Sequence, residues 1–435
     1  MTKNDKQQDL FARQRKGNQT KEILTSIDIG SDKIVCLIAK FDQVTREKRA
    51  IRIIGSGYCQ SKGIRNGKIV DANEAEKSIR LALDKAEKNA NIEVNSINLC
   101  ISGDFINSHI MKGNIDISEN AINQEHVYNV ISSVLDKYQQ KDKRILHIVP
   151  SKFFVDGTRN VPDPTGLIAD NLGVELNFIA AEKNPIINIE NLIHNIHLDI
   201  DSIVAKPYAS GLACLYEHEL DFGSACIDIG CGTTSVSIFY EGTIVFAKTI
   251  NVGGWYISND ISIGLSTPFI HAEGIKNLYG STIMGPNDSE QFYETPEDDS
   301  DLKRTKFKLS KLIYITRARF EEIINKADKI IEDSGYSELA KRNIVLTGGT
   351  ADLNGAVEIA ERMLDTNVRK GTPMKVGGLS EELNGSSFSS SCGVLMHCLL
   401  QESKFKPAQV NTRPDGSGGP SKLQNIFKRI MGADF

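Results

Sequence analysis

A two-lobed α/β fold is predicted by three observations. The tetrapeptide Ile-Asp-Ile-Gly occurs twice, at residues 27–30 and 227–230. Each copy ends an apolar, β-type run and opens a series of three strand-like segments. A chain of 435 residues is also too long for one ordinary core, so two or more domains are expected. Composition supports a folded chain, 40% hydrophobic and 25% charged, and a formal net charge of −5 argues against nucleic acid as the main partner. No apolar run reaches the roughly 18–20 residues that span a bilayer. The polar start of the chain lacks the apolar region of a signal peptide. Eight cysteines without a Cys-x-x-Cys pair read as reduced, packed thiols of a cytoplasmic protein, not as a metal set.

Residues 1–22 read as a disordered, mixed-charge arm. The run ILTSIDI, the turn GSDK and the run IVCLIAKF predict a hairpin with a phosphate-sized bend at its tip. A third strand follows at 51–58, then a helix opened by Asp71, with capping spacing to Glu74 and apolar positions Ala75, Ile79, Leu81, Ala82 and Ala86. This β-β-β-α order is the first half of a ribonuclease-H-like unit and assigns residues 23–96 to the first lobe. Residues 97–180 break the rhythm with a strand (INLCISG), a strand-like stretch at 110–117, a helix over 124–138, a strand (ILHIVPSKFFVDG), a Pro-rich turn and the run VELNFIAA. Their length suits an inserted α/β subdomain. A helix over 184–195 and the strand DSIVA return to the first lobe, residues 181–222.

The second Ile-Asp-Ile-Gly begins another β-β-β series (SACIDIG, TTSVSIFYEG, TIVFAKTINVGG) turning at Glu241-Gly242, and assigns residues 223–380 to the second lobe. Helices are predicted over 255–264, 268–279 and 311–333, the last ending at Gly335. Residues 285–303, acidic and Pro-containing, read as a solvated surface loop. The buried strand of NIVLTGGTADL runs into a double glycine and a helix over 355–364. A small-residue helix over 390–400, within residues 381–402, completes the first lobe. Residues 403–420 have linker composition. In 421–435, Leu423, Ile426, Phe427, Ile430 and Met431 form one apolar helical stripe, flanked by Lys422, Lys428 and Arg429.

The chemistry is concentrated in the turns. A Gly after a strand lets backbone N–H groups approach an anion, and a Ser or Thr hydroxyl adds a donor. One such turn is an ordinary hairpin bend. Two at a domain's separation, each with an Asp two residues before the Gly, read as opposed jaws on one phosphate chain. Gly30, Ser31, Gly230, Gly232, Thr233 and Thr234 are then the phosphate donors, and Asp28 and Asp228 hold Mg²⁺ through water. Gly348-Gly349 is either a plain strand-to-helix turn or a flat seat for adenosine. Glu273 and Lys276, three apart on one helix face, either form a surface ion pair or flank the nucleoside. The terminal stripe either docks on protein or lies in a membrane interface. The preceding linker and the basic flank (Lys428 and Arg429 above all) favour an anionic lipid surface, bound reversibly by one copy and by avidity in an assembly.

These elements, in this order, resemble the superfamily of actin, heat-shock chaperones and sugar kinases, and within it most closely the FtsA family of bacterial division proteins. The stretches that carry the resemblance are SIDIGSDKIVCLIAK, GIRNGKIVDANEAEKSI, HIVPSKFFVDGTRNVPDPTG, CIDIGCGTTSVSIF with GTIVFAKTINVGG, DISIGLSTPFIHAEGIKNLYG and IVLTGGTADLNGAVEIA, and it covers residues 23–400. It implies an actin-like ATPase fold with an inserted subdomain, ATP and Mg²⁺ in the cleft, and a membrane-targeting terminal helix. It further implies actin-like filaments on the cytoplasmic face of the bacterial inner membrane at the division site. The implied partners are the tubulin-like protein FtsZ and later divisome proteins, with no nucleic acid.

In hydrolysing members of the superfamily a Glu or Gln that positions the attacking water precedes a Pro-x-Ala helix start. The matching stretch here, Ala205-Lys206-Pro207-Tyr208-Ala209-Ser210, has Lys206 in that place. The resemblance therefore implies at most a slow ATPase, with ATP acting as a structural or assembly ligand. A sugar-kinase-type phosphotransferase would need a carboxylate base in the cleft and no amphipathic tail. A chaperone would need a β-sandwich substrate domain. A pilus-assembly actin homologue keeps both phosphate turns and an inserted module, and the terminal helix argues against it. Removing residues 422–435 is expected to release the protein from anionic lipid vesicles while leaving ATP binding intact. Unchanged co-sedimentation after truncation would overturn the membrane reading of the tail.

Overall fold

The computed structural model describes residues 23–404 apart from 44–48, 139–141, 162, 295–305 and 375. The arm 1–22 and the amphipathic segment 421–435, with Leu423, Ile426, Phe427, Lys428, Arg429, Ile430 and Met431, lie outside the described residues. The chain opens with β1 (Ile23–Ile29), β2 (Lys33–Gln43) and β3 (Arg49–Gln60), an antiparallel series. A small hairpin of β4 (Ile64–Arg65) and β5 (Lys68–Ile69) leads into α1 (Ala72–Ala90), capped by Asp71, which accepts the Glu74 N–H at 3.1 Å. The helix buries Ala75, Ile79, Ala82, Leu83 and Ala86. Leu81, expected on that face, is 49% exposed, because its position lies across the helix from the Ile79–Leu83–Ala86 stripe. β6 (Ser96–Ile101) pairs parallel with β1.

The inserted module consists of β7 (Ile106–Ala121), α2 (Gln124–Lys137), β8 (Lys143–Val155), β9 (Thr158–Val161) and β10 (Ile168–Glu182). β10 lies between β7 and β8, antiparallel to both, and α2 closes a core of its own around Val130, Val134, Leu172, Val174 and Phe178. Next come α3 (Lys183–Asn195), β11 (Asp199–Ala205), α4 (Lys206–Cys214) and α5 (Glu217–Phe222).

The second lobe repeats the pattern with β12 (Ser224–Ile229), β13 (Thr234–Tyr240) and β14 (Thr243–Ile250). Glu241 and Gly242, at φ 52° and 72°, form the mirror-image two-residue turn that suits strand twist. Then follow α6 (Gly254–Leu265), α7 (Phe269–Tyr279), a ribbon of β15 (Phe292–Glu294) and β16 (Lys306–Lys308), and the long α8 (Leu309–Asp333). After α9 (Ser337–Ala340), β17 (Ile344–Thr347) runs into a 3₁₀ turn at Gly349–Asp352. α10 (Ala356–Leu364), β18 (Val368–Lys370), β19 (Val376–Gly377) and α11 (Ser389–Lys404) complete the described chain.

Two large sheets result, ordered β11-β6-β1-β2-β3-β19 and β18-β17-β12-β13-β14-β7-β10-β8-β9. Three expectations change here. The INLCISG strand, assigned by its place in the chain to residues 97–180, is β6 of the first sheet, held between β1 and β11 with nearly every residue buried. β19, inside the segment given to the second lobe, pairs with β3 of the first sheet, so the chain returns earlier than residue 380. Part of the acidic surface loop is also regular, since Phe292–Glu294 pairs with Lys306–Lys308 around the half-buried Tyr293 and the buried Phe307.

α4 and α11 cross at the base of the cleft between the sheets. At the crossing a Cβ on Gly393 would lie 1.8 Å from the Ala209 carbonyl oxygen, so only glycine permits this approach. Beside it, His147 of β8 accepts the Ala205 N–H through Nε2 at 3.0 Å and packs against Tyr208 and His397. Burial, reinforced by His397, holds the His147 imidazole well below its ordinary pKa. The folded state therefore keeps it neutral while the unfolded chain gains a proton below about pH 6.5. Stability is expected to fall as pH drops from about 7 toward 5.5. In thermal unfolding, His147→Gln, which retains an acceptor for Ala205, should fall less steeply over that range. Parallel pH profiles for the two proteins would contradict this.

Candidate functional site

The two hairpin tips face each other across the cleft with matching construction. Gly30 N–H donates to the Lys33 carbonyl at 3.1 Å, and Gly230 N–H to the Thr233 carbonyl at 2.9 Å. The register is shared as well, with Ile29 opposite Ile34 and Ile229 opposite Thr234. Asp28 and Asp228 thus sit at equivalent positions on central strands, 6% and 2% exposed. Each carboxylate is anchored by a serine from a crossing helix. Ser390 Oγ of α11 donates to Asp28 Oδ2 at 2.5 Å, and Ser210 Oγ of α4 donates to Asp228 Oδ2 at 2.5 Å. Hydrogen bonds to charged groups of this kind contribute about 1.5–3 kcal/mol. The other oxygens, Asp28 Oδ1 and Asp228 Oδ1, are buried with no hydrogen-bond partner. Lys206 Nζ stands 3.7 Å from Asp228 Oδ1, close enough to pair by charge and too far to hydrogen-bond.

The jaws also touch. Ser102 Oγ of the first lobe and Thr233 Oγ1 of the second are 2.9 Å apart. Gly232 lies so close to the opposite lobe that a Cβ would come within 2.7 Å of both Ser31 Oγ and Asn66 Oδ1. Gly30, Ser31, Gly230, Gly232, Thr233, Glu273, Lys276, Gly348 and Gly349 all line this cleft. Gly348, at φ 86°, has its α-carbon against Asp228 Oδ1, where a side chain would clash at 2.5 Å. The cleft contains about 1180 Å³ of space, open solvent included.

Thr234 is a correction. It is fully buried in β13 and gives its hydroxyl to the Val252 carbonyl at 2.7 Å, because the strand starts there and turns the side chain into the lobe. Glu273 and Lys276 form a 2.8 Å ion pair, with Lys276 only 11% exposed, so the pair belongs to the cleft wall and not to the open surface. Sequence reasoning missed Lys33, whose Nζ donates to Ser387 Oγ at 2.7 Å and lies 3.8 Å from the Phe388 ring centroid. Its place in the first turn, matching Thr233 in the second, was the available signal. Ser102 and Ser210 carried none, since lone serines in helices and strand ends are common, and Ser390 sits inside the run Ser389–Ser391 with nothing to single it out.

The donor set suits a hydrated Mg²⁺. Among the described residues no cluster of three or more His, Cys, Asp or Glu forms a metal cage. Two orphaned carboxylate oxygens facing one cavity instead fit an ion that keeps most of its water. Burial disfavours the Lys206 ammonium, but the Asp228 and Asp28 carboxylates outweigh it and hold its pKa above the ordinary lysine value.

The chain is 33% identical to the Cell division protein FtsA of Agrobacterium fabrum over 413 residues, 93% of each chain. The chain belongs to the FtsA family. The corresponding protein of Rhizobium meliloti is 34% identical, covering 92% of this chain and 91% of the relative, and that of Escherichia coli K12 is 26% identical over 92% and 95%. The family model Cell division protein FtsA matches residues 225–393, and that of the SHS2 domain inserted in FtsA matches 103–180, the span of the β7–β10 module. Among solved structures, a PilM–PilN type IV pilus biogenesis complex superimposes with TM-score 0.60 at 13% identity, covering 86% of this chain and 98% of that one. MreB5 of Spiroplasma citri bound to ADP gives 0.51 at 12% identity, covering 88% and 98%. At such identities these likenesses show the fold alone, and that fold is actin-like. No helix among the described residues of this FtsA-family chain is long and apolar enough to cross a membrane.

Cys231, in the second turn, is the cysteine not fully buried. Burial, with Asp32 adding, pushes its thiol up to about 12 from 9.0. At neutral pH its thiolate fraction is then about a thousandfold below that of an ordinary thiol. Iodoacetamide labelling of Cys231, followed by mass spectrometry, should be slow at pH 7.5 and still rising at pH 10. A rate that levels off near pH 9 would contradict this environment.

Proposed function

We propose that the cleft holds ATP with Mg²⁺, and that the nucleotide sets the lobe closure of an actin-like filament subunit. The subunit would tether the tubulin-like protein FtsZ, and with it later divisome proteins, to the cytoplasmic face of the inner membrane at the division site. The observation that carries the nucleotide reading is the pair of orphaned oxygens, Asp28 Oδ1 and Asp228 Oδ1, at equivalent positions of two facing glycine turns. Ser31, Gly232 and Thr233 would present N–H and hydroxyl donors to the phosphates, while Gly30 and Gly230, whose N–H groups close their own turns, would leave the phosphates room to approach. Lys33, engaged with Ser387 and Phe388, borders the cleft on the first-lobe side. Gly348 and Gly349 would leave room for the nucleoside, and the Glu273–Lys276 pair would border it. Mg²⁺, when bound, supplies charge neutralisation between the carboxylates and the phosphate chain.

Hydrolysis is expected to be slow or absent. A general base must be free to accept a proton, and the protonated Lys206 ammonium stands where that base would be needed. Membrane attachment, FtsZ tethering and filament formation rest on family membership and on the terminal amphipathic stripe. ATP with Mg²⁺ is expected to increase pelleting of the full chain with anionic vesicles, through assembly and avidity.

The single tryptophan gives a direct readout of binding. Trp255 of α6 lies under the Arg65 guanidinium of the first-lobe hairpin, 4.9 Å from ring centroid to Cζ, so it spans the lobes. Titration with Mg²⁺-ATP should change Trp255 fluorescence saturably. Gly232→Val, which drives a branched side chain against Ser31 and Asn66, should weaken the affinity by about tenfold or more. No ATP-dependent signal, together with no ATP retained in equilibrium dialysis, would overturn the nucleotide reading.

A further inference from the structure

The cleft is lined by five acids and three lysines, and most of these charges are already matched. Glu273 pairs with Lys276, which also donates to the Gly254 carbonyl at 3.4 Å. Asp352 pairs with Lys370 from outside the cleft. Asp32 neighbours Lys33, whose ammonium is spent on Ser387 and the Phe388 face. What remains is Asp28, Asp228 and Lys206. Lys206 begins α4, with Pro207 fixing the helix start behind it. Its side chain is 13% exposed, and its Nζ lies 3.7 Å from Asp228 Oδ1. The same Nζ would stand 3.5 Å from a Cβ built on Gly230, so the ammonium rests against the bend of the second turn. It therefore occupies the junction of orphaned carboxylate oxygen and phosphate loop, where a divalent ion would otherwise do all the neutralising.

We propose that the Lys206 ammonium is a tethered cation that takes over part of the charge-neutralising role of Mg²⁺, so that residue 206 sets how strictly nucleoside polyphosphate binding requires a divalent metal. This rests on the nucleotide reading of the cleft. A lysine ammonium is a compact point charge with three rotatable donors. It can bridge a carboxylate oxygen and a phosphate oxygen, and being covalently attached it cannot be chelated away. Without Lys206 the junction would carry two uncompensated carboxylates beside an anionic ligand, and only an added metal could offset them. Lys206 is a positioning residue for the ligand's charge, and it gives this protein a nucleotide site whose occupancy depends only weakly on metal supply.

The test measures ATP dissociation constants by equilibrium dialysis on the full chain, in excess Mg²⁺ and in excess EDTA, for the wild type, Lys206→Met and Lys206→Arg. Thermal unfolding establishes that each variant is folded. In the wild type, EDTA is expected to weaken ATP binding by less than about tenfold. In Lys206→Met the loss on chelation should exceed the wild-type loss by at least about tenfold, and Lys206→Arg should follow the wild type. A wild-type loss of about tenfold or more overturns the proposal by itself, whatever the variants do. A Lys206→Met protein whose metal dependence equals that of the wild type overturns it too. ATP bound only with Mg²⁺ would remove the Lys206 inference and leave the nucleotide reading standing. No ATP binding under either condition would remove both.

Discussion

Burying the Asp28 and Asp228 carboxylates costs several kcal/mol each unless partners are supplied, and each partner comes from a separate helix. Ser390, near the end of the described chain, anchors Asp28, while Ser210 of a first-lobe helix anchors Asp228 in the second lobe. The second lobe is therefore stitched to the first through its polar centre. The helices that provide these serines must cross closely, which Gly393 permits, and the strands that bear the aspartates must lie at the middle of their sheets. The second lobe cannot satisfy its aspartate alone, whereas Asp28 is met by a helix of its own lobe. A chain cut between the lobes would leave Asp228 short of a hydrogen bond.

Most of the architecture was legible before any coordinates. The doubled Ile-Asp-Ile-Gly marks the two central hairpins because a glycine after a buried strand signals a tip that must remain slim. The order β-β-β-α follows from runs of Val, Ile and Leu interrupted by turns. What the sequence hid was spatial assignment. INLCISG reads the same whether it joins the first sheet or the inserted module, since an apolar run carries no label for its neighbour. Val376–Gly377 is too short to announce a strand and is made one only by pairing with Ile51 and Arg52. Thr234 looked like a donor because it follows Thr233. Strand alternation decides otherwise, sending adjacent side chains to opposite faces. Leu81 misled for the helical counterpart of that reason.

On the proposed reading, the site departs from a hydrolytic design by one residue type. Where a proton acceptor would then be useful, the chain has the Lys206 amine, 3.7 Å from Asp228 Oδ1 and kept protonated by the Asp228 and Asp28 carboxylates. Such a group binds and holds well but cannot take a proton from water. The physical emphasis of the cleft is thus on occupancy and closure. The surrounding glycine turns, which admit an anion at close range without side-chain interference, have the same emphasis.

The inserted module is attached to both lobes. Its β7 joins β14 of the second lobe at the Lys248–Asn107 pair, and Ser108 accepts the Ala247 N–H beside it. Through His147 it also holds Ala205 at the root of α4, immediately before Lys206. A rigid body fastened to both halves of a hinge cannot stay still when the hinge turns. Any change in the angle between the lobes must shear one fastening or rotate the module like a rocker arm. The outer edge of that arm, strand β9, is remote from the cleft in sheet order. The module thus ties the two lobes together at one end and carries, at the other, the strand farthest in sheet order from the second phosphate turn.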